Sequence, residues 1–206
     1  MIANHIHDAI SQVRKLREAV LDKRQFRGYS GPARMLSGVV ALAGAAVLAW
    51  LQPGTATGHL LGWGAVLVAA LLLNYGALLY WFLRNPQVGR DPAMLQPAFD
   101  AIPPLAVGAA FTAACLLRGQ YDLLVPVWMC MYGLAHIPYR NTLPRANYGV
   151  GLFYITAGAA CLFWPGAMFT NPWPMGLVFF AGEMAGGIVL HVNRVRNLQA
   201  KLDSCR

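Results

Sequence analysis

Six stretches of this chain, about residues 34–52, 60–83, 101–118, 121–139, 146–164 and 173–192, are apolar over the length a helix needs to cross a hydrocarbon core. No water is available there for backbone N–H and C=O groups, so such segments must close their hydrogen bonds internally, as helices do. Only 12% of the 206 residues are charged and 57% are hydrophobic, about half the charge content of an ordinary soluble domain. That composition excludes a disordered chain, a secreted disulfide scaffold and a typical soluble enzyme. The expected fold is all-α. A polytopic membrane bundle of six transmembrane helices occupies residues 29–193, after a cytoplasmic amphipathic helix over 1–28 and before a basic cytoplasmic tail over 194–206. The first thirty residues are polar and amphipathic, unlike a cleavable signal.

The formal charge of +8 would suggest nucleic acid if it formed one solvent-facing patch. Instead it is divided between the apolar runs, and direct contact with nucleic acid is not expected. Residues 53–59, 119–120 and 165–172 carry no Lys or Arg, whereas Arg84, Arg90, Arg140, Arg145, Arg194, Arg196, Lys201 and Arg206 mark the alternate connections. With the N-terminal helix and Arg34 included, fifteen of the sixteen basic residues share one side, and only Arg118 does not. The positive-inside rule makes that side the cytoplasm and places both termini there, in a bacterial inner membrane. Trp50, Trp63, Trp164 and Trp173 then mark the outer boundary, and Tyr80, Trp81 and Tyr139 the inner one.

Ahead of the first span, Ile2, Ile6, Ala9, Val13, Leu16 and Val20 recur at alternating steps of four and three, and Gly28 is a natural stop. This narrow stripe on residues 2–26 is close to a heptad seam but short for an autonomous coiled coil. Ile6, Val13, Leu16 and Val20 are the expected docking residues for a cytoplasmic protein or a second copy. Anionic lipid is the other cover, since Arg14, Arg17, Arg24 and Arg27 can reach headgroups together with Arg194, Arg196 and Lys201.

Ala43–Trp50 in the first span returns as Ala157–Trp164 in the fifth, with an echo at Val107–Ala110 in the third. Tyr75-Gly76, Tyr132-Gly133 and Gly186-Gly187 recur in the even spans. Three repeats of a two-helix hairpin would explain this, and so would shared Ala/Gly composition, which lets membrane helices approach closely.

Tyr29–Gly38, with its Ser30-Gly31-Pro32 step into Val39–Ala45, resembles the opening of a bacterial family of small six-span integral membrane proteins of uncharacterised activity. Ile102–Gly108, Tyr121–Trp128 and Tyr132–Leu134 are similar to that family's third and fourth spans. The resemblance implies the six-span fold and the membrane location. It also implies a sensory or regulatory pairing with a small winged-helix regulator. No catalytic motif comes with it. Where members often carry a His four residues before a Gly in the last span, this chain has Glu183 before Gly187.

Glu183 is the most informative residue. A carboxylate within a span costs on the order of 2.5–3.5 kcal/mol, so it must face the bundle, be protonated or pair. Asn74 and Tyr132 fall at similar depth and complete a candidate ligand or proton site. His136 and His191 lie at matching depth near the inner ends of their spans, a pair that could hold haem or another metal. Each is within a turn of the interface, so the surface reading is preferred and no cofactor is expected. Asp100, ahead of Pro103 and Pro104, reads as an N-cap of the third span, and Asp122 as a cap of the fourth. Pro126 and Pro138 are candidate kinks in that span. Cys115, Cys130, Cys161 and Cys205 lack metal-type spacing, and His5, His7 and His59 read as surface residues. No phosphate loop, zinc-protease motif or Ser/His/Asp set occurs. The expectation is a non-enzymatic partner-binding or sensory subunit. The competing one is a small transporter or hydrophobic-ligand pocket centred on Glu183.

Overall fold

A computed structural model describes residues 12–13, 26, 28–85 and 95–204. They form helices α1 (Gly31–Leu51), α2 (Ala56–Arg84), α3 (Gln96–Phe99), α4 (Ile102–Leu117), α5 (Leu124–His136), α6 (Arg145–Phe163) and α7 (Pro172–Ser204). The Ser-Gly-Pro step is a helix start: the Ser30 hydroxyl accepts from Ala33 N at 3.3 Å, and Pro32 sits in the first turn where its missing N–H costs nothing. α1 stops at Gln52, which turns left-handed with φ of 42°. Thr55 caps α2 in the same way through Gly58 N.

Among the described residues, five runs are long and apolar enough to cross a membrane: α1, α2, Gln96–Leu117, α6 and Pro172–Ala200. The expected span at 121–139 is built differently. It is a 13-residue α-helix between 3-10 turns at Tyr121–Leu123 and Ile137–Asn141. Pro138 explains the second change, because it has no N–H and its ring would meet the carbonyl one turn back, so α5 ends at His136. Pro126 falls in the first turn of α5 and needs no kink. Neither aspartate caps as expected. Asp100 closes α3 in right-handed helical geometry, and the residue before α4 is Ala101, with no side-chain cap. Asp122 instead accepts from Phe169 N at 2.8 Å, tying the loop at 165–172 to the start of the α5 segment. The tail is not a separate unit either. α7 runs on to Ser204, since no Gly or Pro follows Gly187 to stop it.

The helices follow one another around the bundle in the order α2, α1, α7, α6, α5, α4, with α1 on α7 the most extensive contact and α5 on α6 the next. Small residues make both contacts possible. A Cβ on Gly31 would stand 2.6 Å from the Gly187 carbonyl oxygen, and one on Gly187 would stand 2.7 Å from that of Gly31. Gly133 and Gly151 repeat this between α5 and α6. The similar octapeptides in α1 and α6 meet different neighbours: Gly44 faces Val66 on the following helix, and Gly158 faces Pro126 and Cys130 on the preceding one. A Cβ on Gly76, unlike one on Gly133, would point into open space.

Two apolar layers enclose a polar middle. At the distal end, where α1 stops, Ala45, Leu48, Trp63, Cys115, Leu124, Val125, Met129 and Met175 pack around Phe169 from the 165–172 loop. Trp63 therefore belongs to the core, 3% exposed, and not to a boundary belt as expected, whereas Trp50, Trp164 and Trp173 are exposed. His59, expected at the surface, is buried there too. At the proximal end, where α1 starts, Ala101, Ala135, Tyr139, Leu143 and Leu190 pack with Phe26 and Tyr29. Tyr139 is buried as well, and its hydroxyl lies 2.9 Å from that of Tyr29. Burial pushes the Tyr29 phenol up to about 12, so it keeps its proton at neutral pH. Of the docking stripe, Val13 is helical and 66% exposed, while Ile6, Leu16 and Val20 lie outside the described residues.

The two glycine environments predict opposite outcomes. A Cβ on Gly133 would press on backbone, 2.7 Å from Gly151 O and 2.9 Å from Ile155 N. Gly133→Ala should therefore lower stability by about 1–3 kcal/mol. Gly76→Ala, in open space, should be neutral or slightly stabilising. Thermal unfolding in mild detergent distinguishes the pair, and equal effects would contradict the packing described.

Candidate functional site

The polar middle is organised around Arg34 of α1 and Glu183 of α7, which are 7% and 3% exposed. Arg34 Nε donates to Glu183 Oε2 at 3.1 Å and Nη2 to Oε1 at 3.3 Å, the two-pronged arrangement that suits a planar guanidinium. Nη1 donates to Asn147 Oδ1 at 2.7 Å, and Nη2 also meets His136 Nε2. The carboxylate is completed by two phenols, Tyr132 at 2.9 Å and Tyr154 at 3.0 Å, both donating to Oε1. Four helices thus converge on one charge pair.

The histidine's role follows from its other nitrogen. Nδ1 lies 2.8 Å from the Tyr132 carbonyl oxygen, which can only accept, so Nδ1 carries the hydrogen. Nε2 then offers its lone pair to the guanidinium. His136 is consequently a neutral acceptor with both nitrogens used.

Two glycines on α7 make the space. A Cβ on Gly186 would collide with the Arg34 guanidinium, and one on Gly182 with the Tyr154 ring. Gly182, Glu183 and Gly186 therefore act together: the carboxylate projects from the one helix stretch whose flanks leave room for its partners. Gly38 does the same from α1, where a Cβ would approach Glu183 Cβ at 3.0 Å.

The expected trio is only partly assembled. Glu183 and Tyr132 meet, but Asn74 donates to Ser37 Oγ at 2.7 Å and to Ala70 O at 3.0 Å, one turn along α1 from Arg34. Ser37 in turn donates to Ala33 O at 3.0 Å. His136 is in the network, whereas His191 is exposed on α7, so these two do not form a ligand pair. Among the described residues no cluster of three or more His, Cys, Asp or Glu could hold a metal ion. Arg34, Asn147 and Tyr154 carry no mark in the sequence that sets them apart as site residues. Counting charges along the chain places Arg34 with the boundary residues, yet a buried carboxylate demands a cation, and Arg34 lies inside an apolar helix.

The site is closed. Arg34 and Glu183 bond each other and four neighbours, and among the described residues of the network Asn147 Nδ2 is the one buried polar atom without a partner. Two surface clefts lie at the distal end, one lined by Gly119–Leu123 with Met168–Thr170 and the other by Leu48, Gln52, His59 and Asn171–Trp173. Neither includes a residue of the network. Comparison with family models, with curated proteins and with solved structures gives no match.

A buried pair of this kind predicts strong non-additivity. Glu183→Leu alone strands the guanidinium, and Arg34→Met alone strands the carboxylate, each expected to cost about 3–5 kcal/mol. The double variant should recover most of that loss, because no unpaired charge remains. A double-mutant cycle of thermal unfolding reads the coupling directly, and simple addition of the two losses would contradict it.

Proposed function

We propose that this protein is a non-enzymatic, multi-pass subunit of a bacterial inner membrane that binds a cytoplasmic protein or a second copy of itself through the stripe on residues 2–26. The observation that carries this reading is the closed ion pair: Glu183 has its oxygens occupied by Arg34, Tyr132 and Tyr154. A transport or ligand site needs a group free to meet its cargo, and a structural lock does not. The competing transport reading, centred on Glu183 with Asn74 and Tyr132, loses its support there, since Asn74 is spent on Ser37. With the charge pair of the bundle closed on itself, the stripe is the part of the chain suited to a changing partner.

Six crossings follow if the Tyr121–Asn141 segment counts as one span. At 1.5 Å per α residue and 2.0 Å per 3-10 residue it is about 35 Å long, enough for a hydrocarbon core near 30 Å. That topology returns both termini to the basic, cytoplasmic side. The family resemblance points to a small winged-helix regulator as the cytoplasmic partner, and a sensory or regulatory role would follow from it.

Val13→Asp with Leu16→Asp should leave the bundle inserted and thermally unchanged while abolishing co-purification of the partner, or dissociating the homo-oligomer, in mild detergent. Mass spectrometry of the eluate identifies what is lost. A wild-type monomer that elutes with nothing bound would end this reading.

A further inference from the structure

Phe26, Gly28 and Tyr29 join the docking segment to α1, and they lie across the proximal end of the polar network. Phe26 N donates to the Thr142 carbonyl oxygen at 2.8 Å. The Phe26 ring meets Trp81 of α2 and Tyr29 edge-on, with centroids 5.8 and 4.9 Å apart. Gly28 is pressed so close that a Cβ would stand 2.6 Å from Leu78 Cδ1. Tyr29 packs edge-on against Tyr139 at 5.6 Å and shares the hydroxyl contact with it. Tyr139 lies against His136 at 6.2 Å, and His136 holds the Arg34 guanidinium. Contact is continuous from the end of the docking segment to the buried ion pair.

The strap and the network beneath it are held very differently. The network is fastened by charge-assisted bonds among four helices. Among the described residues, the strap is attached by one backbone hydrogen bond, one phenol pair and aromatic edges, and no ion pair there fastens Phe26 or Tyr29. Under it lie Ala135, Tyr139, Leu143 and Leu190, an apolar layer that keeps water from Arg34 and Glu183. Because a buried charge pair is strengthened by the absence of water, whatever lifts this cover weakens the bonds below it.

We propose that Phe26 and Tyr29 form a displaceable seal over the Arg34–Glu183 network, through which load on the docking segment reaches the interior of the bundle. The seal rests on the docking reading only for the agent that would lift it. A segment pulled toward a partner removes Phe26 from Thr142 and Trp81 and Tyr29 from Tyr139. The Ala135 layer is then wetted, and the clamp on His136 is loosened. Loss of those contacts is felt by the residue that positions the guanidinium, so a binding event outside the membrane changes the packing of α1, α5, α6 and α7 within it.

The test uses the full-length protein alone in lipid nanodiscs, with no partner, so that its outcome is independent of whether a partner exists. Ala135→Cys places a thiol under the seal, and a membrane-impermeant maleimide reports its exposure by peptide mass spectrometry. Cys130, half-buried against α6, serves as the internal reference. Labelling at position 135 should be slow in the otherwise native chain and at least ten-fold faster with Phe26→Ala, with Cys130 unchanged. Tyr29→Phe, which removes only the hydroxyl contact, should accelerate it to a smaller degree and decides the matter if Phe26→Ala fails to insert. Equal labelling with and without the strap overturns the proposal. So does parallel acceleration at Cys130, which would mean that the whole bundle had loosened.

Discussion

The contact between Arg34 and Glu183 sets the terms for the rest of the bundle. Two opposite charges removed from water are tolerable only if each finds its full set of partners, and these are drawn from four helices: Asn147 and Tyr154 on α6, Tyr132 and His136 on α5, with the pair itself joining α1 to α7. Helices in lipid gain nothing from the hydrophobic effect by touching one another. A satisfied polar network supplies the directional attraction that would otherwise be missing, and it supplies register, since sliding any one helix by a residue leaves a charge unmet.

Close packing serves the same end. Gly182 and Gly186 clear the volume that Tyr154 and Arg34 occupy, and Gly31 with Gly187 bring the α1 and α7 backbones together beside it. The small residues in these helices are therefore of two kinds: some let backbone meet backbone, and some let a large polar side chain lie flat against a helix. Both kinds are needed because the guanidinium must reach across α1 and α7 without pushing them apart. The apolar layers at either end, around Phe169 and around Tyr139, then exclude water and raise the worth of every bond between them.

The proximal layer on which Phe26 and Tyr29 rest is in turn backed by the network, whose bonds come from four helices. The strap and the buried charge pair are thus neighbours in one continuous packing, linked through Tyr139 and His136.

The apolar runs were sufficient to mark the positions of α1, α2, α4, α6 and α7 to within a few residues at most of their ends, because in lipid a backbone has almost no alternative to a helix. Only the continuation of α7 to Ser204 escaped that reading. The segment around α5 was legible as apolar but not as a composite of α and 3-10 turns, since that depends on how the Pro138 ring meets its own helix. Glu183 announced itself by cost alone, a carboxylate where none is expected. Its partners could not be read in the same way. Arg34 has the composition of a boundary residue, Tyr154 and Asn147 look like any residues of a span, and Asn74 sits at a plausible depth yet faces Ser37. Depth along a helix follows from counting, and the sequence by itself determined it. The azimuth of each side chain, and so which helices are neighbours, is decided by tertiary packing, because helices in lipid can rotate and exchange neighbours until glycine clearances and one buried charge pair choose a single arrangement.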